Sequence, residues 1–299
     1  MHKINEPLLS KLIIERFNMS NELDGKILII SDVHGLVHQM NDFFHWILEE
    51  KKEKIAYVVS LGDFFKGRNF DGVEKTRHSF EDPEYFDELK LPVFHLKGNE
   101  DLDIPESWFL SENTFLMKDQ EPFELGRYKC LPLYYQMRGE HGDEVPIHPE
   151  FSEDQNFDFI FSHRPPFGLL DHTLHLQTHR KLKQIGSPLV RAYVERLRPS
   201  VCFFGHLHFS NFMMYNESLI VCIDKLIRIG TQNSIKYSYA LVDPFDDSVE
   251  VVWKGRSFLK YSIPQQKILS LNRQDKRSLY VHEKEVENEI DPDINSTEM

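Results

Sequence analysis

Cysteine is scarce in this chain. Its 299 residues contain three, Cys130, Cys202 and Cys222, and no two of them stand at CxxC spacing. That excludes a disulfide framework and a thiolate-built zinc site, and such usage fits a reducing compartment. Long apolar runs are missing too. The most apolar stretch near the N-terminus, "LLSKLIIERF", is interrupted by Lys11 and Glu15 and is followed by no small-residue cleavage site. It is too short to span a bilayer and does not read as a secretory signal. The expectation is an amphipathic helix on a cytoplasmic protein that does not insert into membranes. Positive charge is the third shortage. Thirty-five Lys and Arg face 48 Asp and Glu, for a net charge of −13. This argues against an electrostatic grip on long nucleic acid.

What the chain has is alternation. "KILIIS" reads as a buried strand, followed by a helix over 37–52 that places Met40, Phe43, Phe44 and Ile47 on one face. "IAYVVSLGD", "PVFHLKGNED", "FDFIFSH" and "SVCFFGHLH" read as further strands. "SPLVRAYVERLRP" is a helix with Ser187 as its cap and Pro188 at its first position. "SLIVCID", "YSYALVD" and "SVEVVWKG" are expected to close a second sheet. Residues 66–90 read as a long loop and 138–156 as an exposed insertion. From Val281 onward seven acids stand against one lysine, too polar a composition to bury itself. The expected layout is an N-terminal helical extension over 1–25, one domain over 26–262, and a C-terminal extension over 263–299 ending in that acidic tail.

Five strand ends carry polar cargo that burial does not explain: Asp32 and His34, Gly62-Asp63, Gly98-Asn99, Ser162-His163, and Gly205-His206-Leu207-His208. A carboxylate or imidazole at the edge of a core is costly unless something compensates it. In a strand, residues i and i+2 share a side, which would bring Asp32 and His34 together over the rim of a parallel sheet, where ligands bind. Oxygen and nitrogen donors without thiolates suit manganese, iron or zinc in an open site.

In order along the chain these motifs read D-x-H, G-D, G-N-E-D, H and G-H-x-H. The pattern resembles the calcineurin-like metallophosphoesterase superfamily, over about Lys26 to Asp243. The resemblance implies an α/β fold of four layers, a β-sandwich flanked by helices (αββα). It implies two divalent metal ions, one on Asp32, His34 and His208, the other on Asn99, His163 and His206, with Asp63 bridging. The implied activity is hydrolysis of a small phosphodiester or phosphomonoester by a metal-bound hydroxide. A nuclease and a non-catalytic scaffold of the same fold are the alternatives. Asn99, Glu100, Asp101 and Arg164 are the candidate catalytic residues. Glu100 stands where many relatives have a histidine, and its negative charge would disfavour a dianionic phosphate. "SHRPPFGLLD" is similar to a branch acting on small phosphate esters; its prolines would stiffen the chain beyond His163, and Asp171 could hydrogen-bond a ligand histidine.

Weaker signals complete the reading. Lys66 and Arg68 could meet a substrate phosphate. His172, His175 and His179 fall at helical spacing. Phe64, Phe65 and Phe167 could stack on a substrate ring or simply pack in the core.

Overall fold

The computed structural model describes residues 24–65, 91–111, 113–135, 155–174, 182–229 and 234–272. Two mixed sheets make up most of it. The first has eight strands: β1 (Lys26–Ile30), β2 (Ile55–Ser60), β3 (Val93–His95) and β4 (Thr114–Leu116) are parallel, and β15 (Tyr239–Asp243), β16 (Ser248–Trp253), β17 (Arg256–Ser262) and β18 (Lys267–Leu271) form an antiparallel meander. The meander joins through β15, which pairs antiparallel to β1. The second sheet has six strands: β5 (Phe123–Leu125), β6 (Tyr128–Leu133), β7 (Phe159–Ser162), β10 (Val201–Phe204), β11 (Asn211–Tyr215) and β12 (Ser218–Cys222). Its central β6, β7, β10 and β12 are parallel. Two short ribbons, β8 (His172–Leu174) with β9 (Leu182–Gln184) and β13 (Ile227–Ile229) with β14 (Ile235–Tyr237), complete the strands.

Period-2 alternation accounts for the layering. Ile27, Ile29, Tyr57 and Val59 of the first sheet pack on Phe159, Phe161, Val201 and Phe203 of the second. The opposite face of the first sheet, with Leu28, Ile30 and Val58, is covered by helix α1 (Val37–His45) through Met40, Phe43 and Phe44, and by Ile47 just beyond it. The opposite face of the second, with Ile160, Cys202 and Phe204, is covered by helix α2 (Pro188–Leu197) through Leu189, Tyr193 and Val194. Strands buried on both faces read as unbroken apolar runs, which is why "KILII" and "VCFF" look as they do. The result is the expected four-layer sandwich. All three cysteines are buried free thiols. No described helix is long and apolar enough to cross a membrane.

Several local expectations shift. Helix α1 gives way after His45 to a π-helical turn, Trp46–Glu50. Ser187 caps α2 as expected, its Oγ accepting the Val190 N–H at 3.3 Å, with Pro188 at the first position. Of the three late runs only Ser218–Cys222 enters the second sheet. Residues 239–253 instead return to the first, because the open edge of β1 takes β15. Strand β18 carries that sheet to Leu271, beyond the expected domain end at 262. His172 opens a strand rather than lying on a helix, while His175 and His179 lie outside the described residues. So do residues 1–23, the loop 66–90 with Lys66 and Arg68, residues 138–154 of the expected insertion, and the acidic tail.

Candidate metal centre

Every expected ligand follows the C-terminal end of a parallel strand: β1, β2 and β3 in the first sheet, β7 and β10 in the second. That is the edge at which open α/β sheets place their ligands. Strand β1 stops at Ile30, so the pleat does not bring Asp32 and His34 together. Left-handed backbone does. Asp32 (φ +53), His34 (+50), Asp63 (+49), His206 (+69) and His208 (+56) all have positive φ. Asp and His tolerate that region better than most residues, at a cost on the order of 1–2 kcal/mol each. Five such residues among the seven expected ligands mark a place where function overrides local preference.

The donors converge in two groups. In the first, His34 Nε2 and His208 Nε2 are 3.0 Å apart, and Asp32 Oδ1 lies 3.2 Å from His208 Nε2 and 3.6 Å from His34 Nε2. In the second, His163 Nε2 lies 3.0 Å from Asn99 Oδ1, 3.1 Å from His206 Nδ1 and 3.3 Å from Asp63 Oδ2. A cation with ligands at about 2.0–2.2 Å sets neighbouring donors roughly 3.0–3.6 Å apart. The spacings fit.

Charge makes the same point. Burial opposes ionisation of Asp32, but the His208 hydrogen bond and the surrounding imidazoles hold its carboxyl well below the usual range. Burial works against a proton on His163, yet Asp63 lifts that ring to about 9. Burial, with His163 beside it, pushes His206 down to about 3. Two buried carboxylates among four imidazoles therefore demand positive charge, which a proton on His163 or a metal ion can supply.

Neighbouring groups aim the donors. His163 Nδ1 faces Leu61 O at 2.9 Å, an acceptor only, so Nδ1 carries a hydrogen and Nε2 is the nitrogen turned toward the site. Asp32 Oδ2 accepts from Ser31 Oγ (2.5 Å) and the His206 N–H (3.0 Å), turning Oδ1 inward. Asp63 Oδ1 accepts the Glu100 N–H at 2.8 Å. Two glycines permit the crowding. A Cβ on Gly98 would lie 2.2 Å from Asp63 Oδ1, and one on Gly205 would lie 1.8 Å from Ser31 Oγ.

The candidate catalytic residues divide. Asn99 and Glu100 lie at the site, half-buried, with Asn99 Nδ2–H donating to Glu100 Oε1 at 3.2 Å. That bond turns the Asn99 amide oxygen toward His163. Asp101 does not face the site. It is fully buried, and its carboxylate accepts the N–H groups of Phe64, Phe65 and Gly98 at 3.0–3.2 Å, so it braces the loops that carry Asp63 and Asn99. Arg164 is also a brace: its guanidinium donates to the carbonyls of Ile185 and Gly186. Asp171 touches no ligand histidine; it accepts the Gly168 N–H at 2.8 Å and sits beside His172. Phe64 and Phe65 are core residues, while Phe167 is exposed.

One residue at the site escaped the sequence reading. The Tyr135 ring lies 5.7 Å from His206 and 5.9 Å from His163, with the Arg164 guanidinium 5.2 Å from its own centroid. It walls the second donor group. Only its place after the apolar run "CLPLY" hinted at this, and nothing there separates it from Tyr134, which packs against the inter-sheet core.

The sequence model of calcineurin-like phosphoesterases matches residues 25–210, the span that holds both donor groups. The chain belongs to the calcineurin-like phosphoesterase family. The family binds divalent metals, and this calcineurin-like phosphoesterase has two groups of residues able to hold them. Solved structures similar to it include the Thermus thermophilus protein TT1561 (15% identity, 77% of this chain and 98% of that one, TM-score 0.49). An archaeal phosphodiesterase (15%, 76% and 99%, 0.43) and Chaetomium thermophilum Vps29 (14%, 77% and 86%, 0.36) are further examples. No curated protein matches this calcineurin-like phosphoesterase in sequence.

Proposed function

We propose that the chain is a cytoplasmic phosphoric ester hydrolase that uses two divalent cations, manganese, iron or zinc, to cleave a small phosphodiester or phosphomonoester. The observation that carries this is the pair of donor groups, each with spacings that fit one cation. Two such ions would polarise phosphoryl oxygens and lower the pKa of a water so that hydroxide exists near neutral pH.

The rest falls to the chain. Asp32, His34 and His208 would hold one ion and Asn99, His163 and His206 the other, with Asp63 supplying a carboxylate to the pair. Hydroxide derived from water attacks phosphorus, and the bond to the leaving oxygen breaks. Glu100 does two things. It orients Asn99 through the amide N–H, and its carboxylate sets a negative charge beside the substrate. A diester brings one negative charge and a monoester nearly two, so the site favours the diester. The overall charge of −13 keeps long nucleic acid out of this reading.

Turnover of bis(p-nitrophenyl) phosphate and p-nitrophenyl phosphate by manganese-loaded protein tests the proposal. The diester should be the faster substrate. Glu100→Gln keeps an acceptor for the Asn99 amide but removes the charge, and should raise monoester turnover more than diester turnover. Turnover of neither ester by the wild type would refute the assignment.

A further inference from the structure

After β12 the chain runs through residues 223–226 between the two loops that build the first donor group. Ile223 N–H donates to Phe204 O at 2.8 Å and Asp224 N–H to Ser210 Oγ at 3.2 Å, which ties the segment to the loop of His206 and His208. Leu226 N–H donates to Ser31 O at 2.8 Å, tying it to the loop of Asp32 and His34. Ile223, Asp224 and Leu226 are completely buried, and Asp224 Oδ2 accepts the Trp253 indole N–H at 3.0 Å. Lys225 alone among the four is part-exposed. Three fixed neighbours thus hold a lysine at the rim.

Among the described residues no carboxylate pairs with Lys225, whereas the other cations nearby are committed. Lys97 is buried and donates to Ile104 O at 2.9 Å, and Arg164 donates to the carbonyls of Ile185 and Gly186.

We propose that Lys225 is the anion-recognising residue of the site, its ammonium meeting the non-bridging oxygens of a phosphate seated against Asp32, His34 and His208. The proposal rests on the phosphoesterase reading and adds to it where the substrate's charge is received. Lys225 and Glu100 then act in opposition: a lysine that welcomes phosphate charge and a glutamate that limits how much is accepted. A compact ammonium on a flexible stem suits a charge contact without fixed geometry.

The test is calorimetric titration of inorganic phosphate into manganese-loaded, full-length protein, comparing wild type, Lys225→Met and Lys225→Arg. Lys225→Met should weaken phosphate binding about three- to tenfold at low salt, a gap that narrows at high salt as the charge is screened. Lys225→Arg should restore most of the affinity, and manganese content should match wild type in all three. With an ester substrate, KM should rise while kcat changes little. Unchanged phosphate affinity in Lys225→Met overturns the proposal. So does weakened binding accompanied by lost manganese, which would make Lys225 a support of the ligand loops, and so does a wild type that binds no phosphate. A wild type that binds phosphate but hydrolyses no ester would sink the phosphoesterase reading while leaving the Lys225 result intact.

Discussion

Replacing Gly98 with alanine puts a Cβ 2.2 Å from Asp63 Oδ1 and 2.4 Å from the Asp63 backbone nitrogen. The nitrogen belongs to a buried loop and cannot swing aside as a long side chain would. Relief requires Asp63 to retreat by about 1 Å, and overpacking of this kind costs typically 1–3 kcal/mol. The carboxylate would also lose its 2.8 Å bond from the Glu100 N–H, a bond to a charged acceptor worth about 1.5–3 kcal/mol. A total of about 2.5–6 kcal/mol lowers the melting temperature by roughly 5–24 °C in a domain of this size. Because Asp63 is the moved group, manganese affinity should fall by at least about 10–100-fold. Gly255→Ala is the control: its φ is +78 and nothing lies within 4 Å of the new Cβ, so it bears only the left-handed strain, about 1–2 kcal/mol. Thermal melts and metal analysis of both variants decide the matter. Gly98→Ala should lose stability and manganese together, whereas Gly255→Ala should lose stability alone. If Gly98→Ala keeps wild-type manganese, or Gly255→Ala loses as much, close packing of glycine on a ligand is not what the motif requires.

Asp63→Asn should lose most bound manganese, and Asn99→Ala and His206→Ala should cut hydrolysis by at least about 10²-fold with melting temperatures within a few degrees of wild type; metal analysis and rate assays check both statements. Chelation should lower the melting temperature by roughly 5–10 °C, since a ligand at 100 times its Kd stabilises by about 2.7 kcal/mol, and an unchanged melt would mean that the donor groups bind no ion. Away from the site, His95 is buried with its ring edge on Phe64 and Phe109, and burial pushes it down to about 3. The unfolded chain takes up that proton near 6.5, so the native state binds fewer protons between the two values and stability falls as pH drops through this window. His95→Phe should therefore flatten the decline in melting temperature below pH 6.5, and an equally steep decline would show that His95 does not titrate on unfolding.

The candidate ligands were legible because each sits just after an apolar run, where burial alone supplies no reason for a carboxylate or an imidazole. The manner of their convergence was not. Asp32 and His34 share a side through left-handed backbone beyond the strand, and no residue pattern distinguishes that from the pleat. Asp101 looked catalytic by position alone, yet its oxygens are consumed by three backbone N–H groups, and only coordinates show where a buried carboxylate's bonds go. The same holds for Arg164, whose carbonyl partners lie about twenty residues further on. Residues 239–253 showed their burial but not their sheet, because alternation records which face is covered and says nothing about which edge a strand pairs with. Lys225 was silent for a related reason: its surroundings come from two separate loops and strand β16.

Each donor group draws on both sheets. Asp32 and His34 come from the first and His208 from the second; Asp63 and Asn99 come from the first and His163 and His206 from the second. The hydrogen bonds behind them also cross the seam, from the His206 N–H to Asp32, between His163 and Leu61 O, and from the Leu226 N–H to Ser31 O. Spacings of 3.0–3.6 Å between donors therefore depend on how the two sheets sit against each other, which is set by the layer of Ile29, Val59, Phe161 and Phe203 between them. A packed interior resists small displacements, so the inter-sheet core defines the geometry of the donor groups as well as contributing stability. This also explains why Gly205 faces Ser31 across the seam. The two sheets come close where the donors meet, and a Cβ on Gly205, 1.8 Å from Ser31 Oγ, would hold them apart.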